Sequence, residues 1–116
     1  MTEPKIDSRR LWDGHMAMAE IGPSPGGGTA RLALTDFDRE ARHLFRRWAE
    51  EAGCAVRVDG IGNIFARREG EDPGHPPVMT GSHLDTQPLG GPFDGIYGVL
   101  AGLEVVGALN DAGIAT

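Results

Sequence analysis

The 116-residue chain predicts an α/β domain, and three observations predict it. Two apolar stripes of helical period precede a pair of short β-rich runs and a third follows them, turn residues punctuate every junction, and an apolar run leads straight into a bend rich in glycine and proline. In such a domain the functional loops lie beyond the strand ends. Each element has a local cause. Over residues 7–21, Leu11, Trp12, Met16 and Ala19, with Met18 beside them, form a helical stripe behind an Asp or Ser cap. Gly22-Pro-Ser-Pro-Gly-Gly-Gly-Thr29 resists regular structure and predicts a mobile surface loop. Thr35 followed by Asp38 has the spacing of an N-cap and its reciprocal acid, and Phe37, Ala41, Leu44, Phe45, Trp48 and Ala52 continue a second helix that ends at Gly53.

Residues 55–58 and 63–67 carry β-forming side chains around Asp59-Gly-Ile-Gly62, which predicts a hairpin. The polar, proline-bearing stretch 69–77 is a surface loop, and residues 77–82 read as a short buried strand. From Ile96, Val99, Leu100, Leu103, Val106 and Leu109 recur at helical spacing to near Gly113, with Gly98, Gly102 and Gly107 permitting close approach to a sheet.

Composition narrows the function classes. Seventeen acidic against eleven basic residues give a net charge of -6, and the basic residues form no run, which argues against nucleic acid as a partner. No apolar stretch approaches the roughly 18 residues that a membrane span needs, and the first residues lack a leader pattern, so the expectation is a cytoplasmic protein without membrane attachment. One cysteine, Cys54, excludes an internal disulfide and reads as a small packed residue.

The chemistry-bearing stretch is Thr80-Gly-Ser-His-Leu-Asp-Thr-Gln-Pro-Leu-Gly-Gly-Pro-Phe-Asp-Gly95. In an extended segment His83 and Asp85 project together while Leu84 turns to the core. A metal-ligating imidazole commonly donates its other ring N–H to a carboxylate, so His83 is the candidate ligand and Asp85 its orienter. Asp94 stands after the bend, at the mouth of the third helix, where a carboxylate can bridge two cations or, more blandly, cap the helix. The pattern reads as half of a metal-binding active site. His15, His43 and His75 lack an acidic neighbour at ligand spacing or lie in polar surroundings. Ser82 beside His83 is a poor nucleophile and base pair, because adjacent strand residues face opposite ways. The triple glycine lacks the G-x-x-x-x-G-K-[ST] pattern of a phosphate loop.

On these residues the chain resembles the zinc-dependent amidohydrolases of the hydantoinase/carbamoylase type, within the dinuclear metallopeptidase M20 group. Arg10-Leu-Trp12, Gly26-Gly-Gly-Thr-Ala-Arg-Leu-Ala-Leu-Thr35, Gly60-Ile-Gly-Asn-Ile-Phe65, Thr80 to Pro88, Phe93-Asp-Gly95 and Gly98-Val-Leu-Ala-Gly-Leu-Glu104 all look like that family's amino-terminal part. The resemblance implies that residues 1–116 are an amino-terminal portion of the catalytic domain, helices packed on a mixed sheet, without the lid and dimerisation domain. It implies hydrolysis of carbamoyl or ureido C–N bonds in a small-molecule substrate such as an N-carbamoyl-L-amino acid or N-carbamoyl-β-alanine, with Thr86-Gln87 leaning to the β-ureidopropionase side. His83 would ligate one zinc, Asp94 would bridge two, and Asp85 would support His83, with Mn2+, Co2+ or Ni2+ as other metals. Two cations about 3.5 to 4 Å apart acidify a shared water and polarise the substrate carbonyl. The resemblance further implies a cis peptide bond at Asp94-Gly95 and a homodimeric complete protein.

The family's general-base glutamate, its adjacent glutamate ligand and two later histidine ligands have no counterpart here, so the chain alone is expected to be inactive. Two alternatives stay open on sequence. One is a non-catalytic interaction or regulatory module that keeps the scaffold, and the other is a dinuclear zinc peptidase or aminoacylase.

Overall fold

The computed structural model describes residues 3–116, ordered as helix α1 (Ser8–Ala19), helix α2 (Asp36–Glu51), strands β1 (Ala55–Val58) and β2 (Ile64–Arg67), and helix α3 (Ile96–Asp111). Asp7 caps α1 by accepting from the backbone N–H groups of Arg9 and Arg10, each at 3.0 Å. Thr35 Oγ1 accepts from Asp38 N–H at 3.3 Å, while the Asp38 carboxylate accepts from Leu34 N–H at 3.0 Å. That reach goes one residue beyond the reciprocal cap expected. Past α2, Gly53 takes φ +88°, the left-handed conformation that ends helices.

The two strands pair antiparallel, Ala55 opposite Arg67 and Val58 opposite Ile64. Asp59 organises the turn through bonds from Ile61 N–H, Asn63 N–H and the Asn63 side chain. This pair is the whole sheet among the described residues. The third strand expected over residues 77–82 is corrected: the segment is extended but unpaired, with Val78 fully exposed and Met79 77 % exposed. Its apolar residues are strand-like, yet a strand exists only by hydrogen bonding to another strand, and none of the described strands pairs with it. The segment instead runs across α3, where a side chain at Gly98 would collide with Ser82 and one at Gly102 would press on Thr80. The glycine-faced approach expected of the third helix is therefore made by an extended segment.

One core joins the layers. Met18 and Ile21 from the end of α1, Ala41, Phe45 and Ala49 from α2, Cys54, Leu84, and Ile96 and Leu100 from α3 are buried together. Burial pushes the Cys54 thiol up, as suits a packed residue. A buried carboxylate ties α1 to α3: Glu104, 4 % exposed, accepts from Arg10 at 2.7 and 2.8 Å and from Asp7 N–H at 2.8 Å. Glu104 and Asp111 together raise the Arg10 pKa further. None of the helices formed by the described residues is long and apolar enough to cross a membrane.

Candidate metal half-site

The motif is held from beneath by the core. Leu84 is 9 % exposed and packs inward, while His83 is exposed and Asp85 half-buried on the other side. The chain bends at Leu84, which turns inward between them. The His83 Nδ1 lies 2.8 Å from the Asp85 carbonyl oxygen and 3.3 Å from its carboxylate. Both neighbours are acceptors, so in its neutral form the ring is matched by a proton on Nδ1, which leaves Nε2 as the lone-pair nitrogen. A neutral imidazole in that tautomer is a ligand-ready group. The Asp85 carboxylate lies within reach of the ring, and the backbone carbonyl of Asp85, which no side-chain reading of the sequence foresaw, lies closer still.

Asp94 sits in the turn that opens α3. The residue in the cap position is Gly95, and α3 receives no side-chain cap. The bland reading of Asp94 as a helix cap is thereby removed. Its carboxylate is left exposed near the positive end of the helix, where a negative charge is favoured. Gly95 explains itself twice: its φ is +73°, and a Cβ there would fall inside the His83 ring. The imidazole thus rests against the peptide that follows Asp94. The cis bond expected at Asp94-Gly95 is corrected, since no described peptide bond is cis. The sharp reversal there is made instead by a γ-turn at Gly95, closed by Ile96 N–H donating to the Asp94 carbonyl at 2.9 Å.

An imidazole nitrogen and a carboxylate oxygen are donors that suit Zn2+. The free Nε2 of His83 and the uncapping Asp94 carboxylate fit such an ion as part of its ligand set. Among the described residues no three His, Cys, Asp or Glu side chains gather closely enough to hold a metal. The other histidines stay apart: His43 is exposed on α2, His75 lies in an exposed loop 3.5 Å from Asp72, and His15 is buried. His15 stacks on Tyr97 with ring centroids 5.6 Å apart and meets Phe93 edge-on at 5.3 Å, and neither ring nitrogen has a hydrogen-bond partner.

The glycine-rich segment is a surface loop as expected, and its end is bonded to the motif. Thr29 N–H donates to Gly90 carbonyl at 2.8 Å and Gly90 N–H returns to Thr29 carbonyl at 3.0 Å, a two-way bridge onto the motif. One step on, Thr86 N–H donates to the Arg31 carbonyl at 2.7 Å, and the Thr86 hydroxyl accepts from Arg31 N–H at 2.7 Å. Sequence reasoning missed Thr29, Arg31 and this use of Thr86. The available signal was a lone charge inside the apolar run Ala30-Arg-Leu-Ala-Leu34.

No protein-family model matches the chain. Its sequence is 54 % identical over 112 residues to an N-carbamoyl-L-amino-acid amidohydrolase of Rhizobium meliloti, covering 97 % of this chain and 27 % of that protein. It is 36 % identical over 108 residues to a ureidoglycolate hydrolase of Arabidopsis thaliana, covering 93 % and 23 %. Among solved structures, an amidase of the hydantoinase/carbamoylase family from Burkholderia multivorans superposes with a TM-score of 0.95 at 60 % identity, covering 97 % of this chain and 27 % of that one. The chain spans about a quarter of the length of these relatives.

Proposed function

The chain belongs to the hydantoinase/carbamoylase family of amidases, and from that premise we propose that it supplies the first metal-binding half-site of a hydrolase of linear amide or ureido C–N bonds. The observation that carries this reading is the seat of the His83 ring against Gly95, with its Nδ1 on Asp85 and its Nε2 free beside the Asp94 turn. His83 and Asp94 would hold zinc, Asp94 as the bridging group, and Asp85 would keep the imidazole in its ligating tautomer. When bound, a pair of such ions supplies an acidified water and polarises the carbonyl to be attacked. The chain's own contribution is geometric. Leu84 and the Thr29–Gly90 bridge hold the motif, and Gly95 lets the ring close on the turn.

The substrate proposed is an N-carbamoyl-L-amino acid or a related ureido acid, supported by the names carried by the two sequence relatives above. A preference read from Thr86 loses support, because that side chain is 5 % exposed and its hydroxyl is engaged with backbone groups. Gln87 is exposed beside it. Residues 1–116 are proposed to be a portion of the catalytic domain, and the complete protein a soluble homodimer that also carries the lid domain. Without a general base and further ligands the 116-residue chain turns over no substrate, since a proton acceptor alone contributes roughly 10²- to 10⁴-fold.

Calorimetric titration of the purified chain with Zn2+, alongside ammonia release from N-carbamoyl-L-amino acids and N-carbamoyl-β-alanine, tests both halves of the proposal. The expected result is weak zinc binding, lost in His83→Ala and in Asp94→Asn, with no ammonia above background. Zinc binding indifferent to both substitutions removes the half-site, and ammonia release by the mass-verified chain removes its proposed inactivity.

A further inference from the structure

The bulkiest of the fully buried side chains is a charged one. Arg31 is 1 % exposed and lies outside every helix and strand. Its Nε donates to the Leu84 carbonyl at 2.8 Å, and its Nη1 donates to the carbonyls of Ile21 at 2.9 Å and Met18 at 3.2 Å. Burial pushes its pKa down, and the carboxylates of Asp38 and Asp85 oppose that. Placing a cation in an interior costs several kcal/mol unless its hydrogen bonds are met. An apolar side chain would fill the space without that cost, so the fork of donors is what the position requires. Two of the carbonyls belong to the last turn of α1 and the residues after it, where helix carbonyls lack intrahelical partners. The third belongs to the one residue that separates His83 from Asp85.

We propose that Arg31 is the positioning residue of the metal half-site: its guanidinium ties the Leu84 carbonyl to the end of α1, so that Leu84 stays in the core and His83 and Asp85 stay together on the outer face. A residue that holds the backbone between ligand and orienter sets the aim of both. The backbone of Arg31 adds a second hold, since it exchanges two hydrogen bonds with Thr86, the residue after Asp85. The guanidinium touches neither His83 nor a substrate position, and it acts through Leu84. Lysine cannot replace it, because one ammonium on a flexible stem does not span carbonyls from two separate segments with fixed directions. The purpose of this device rests on His83 being a metal ligand, whereas its geometry does not.

Long-range proton–nitrogen NMR of the 15N-labelled chain reads the His83 tautomer without any metal. In the unsubstituted protein the proton is expected on Nδ1. In Arg31→Met, which keeps length and removes the donors, the His83 ring is expected to shift to the mixed tautomers of a free histidine while α2 and the hairpin keep their amide pattern. Arg31→Lys is expected not to restore the tautomer. Zinc affinity, measured by competition with a chromophoric chelator, is expected to fall about 10- to 100-fold in both variants, the usual effect of loosening a ligand's support. An unchanged tautomer in folded Arg31→Met overturns the proposal. A changed tautomer with unchanged zinc affinity supports the positioning role and removes the metal reading of His83. If Arg31→Met does not fold, the unsubstituted chain decides. Its Arg31 Nε–H should be protected from exchange and coupled through the hydrogen bond to the Leu84 carbonyl, and an Nε–H as labile as that of exposed Arg47 overturns the proposal.

Discussion

Helix α2 with its hairpin, and helix α3 with the motif that feeds it, solve the same problem of burial in different ways. The first region is held mostly by neighbours in sequence: Thr35 and Asp38 cap the helix and Asp59 builds the turn, while Arg42 reaches 20 residues on to the Gly62 carbonyl. The second is closed by distant partners on its inner side and left open on its outer side. Arg10 holds Glu104, Arg31 holds Leu84 and Thr29 holds Gly90, all across long stretches of chain. Outward, Val78, Met79, Tyr97 and Val105 are exposed. A helix apolar on nearly every face is built for the inside of a larger body. The lesson is that the scaffold's local half stands on its own residues, while the half that carries the site is shaped by contacts that no window of sequence contains.

The largest expected effect tests the core that both regions share. Phe45 is 9 % exposed and lies among Ala41, Ala49, Leu84 and Leu100 in the cluster that joins them. Phe45→Ala should cost about 3 to 5 kcal/mol in urea denaturation followed by circular dichroism. Against a usual domain stability of about 5 to 15 kcal/mol, that leaves little folded protein on warming. A loss below about 1 kcal/mol would mean the two regions are not packed on one another.

Next in size is the tie between α1 and α3. Glu104→Ala removes the acceptor shared by Arg10 and the Asp7 N–H. Arg10 can return to water, its side chain being 41 % exposed, but the capping turn of α1 loses its anchor. The expected cost is about 1 to 3 kcal/mol, with amide protection lost at the start of α1 before it is lost in α2. Equal loss in both helices would erase the distinction between the regions.

These contacts also show what the sequence made legible. The capped start of α2, its glycine stop and the hairpin were readable because every signal lies within a few residues of its effect. His83 and Asp85 stood out because a ligand and its orienter share a short spacing in sequence, and the structure sets His83 Nδ1 3.3 Å from the Asp85 carboxylate. Arg31 was not, because an arginine in a loop reads as exposed until three carbonyls are found around it. The strand at 77–82 was misread for the complementary reason. Its side chains carry strand propensity, but pairing belongs to a partner, and hydrogen bonding between strands cannot be inferred from one of them. The glycine-rich loop shows both limits, since composition identified a loop and was silent about the bridge from Thr29 to Gly90.

A smaller effect concerns His15, whose two ring nitrogens are buried without partners beside Phe93 and Tyr97. Burial pushes its pKa below the ordinary 6.5. The unfolded chain therefore takes up a proton as pH falls through about 6.5 while the folded chain resists, so stability is full above that pH and declines below it. His15→Leu should flatten this decline and add about 1 kcal/mol even at neutral pH, because leaving polar atoms unpaired costs that much or more. Denaturation midpoints at about pH 7.5 and about pH 5.5 give the comparison. A steeper decline in the variant would place the destabilising titration elsewhere.

The smallest effect is expected where the second region lies open. Val78 is fully exposed, with its backbone unpaired, so Val78→Thr removes no buried contact. The unfolding free energy of the 116-residue chain should change by less than about 0.5 kcal/mol, the ordinary range for a surface position. An unpaired apolar edge also invites pairing with other molecules, so the same substitution should lower self-association in sedimentation velocity. A loss above about 1 kcal/mol that disappears on dilution would show the edge covered by a second copy in solution. A loss of that size at every concentration would show that residues 77–82 are paired within the chain, and the contrast between a half held by local bonds and a half held by distant ones would weaken.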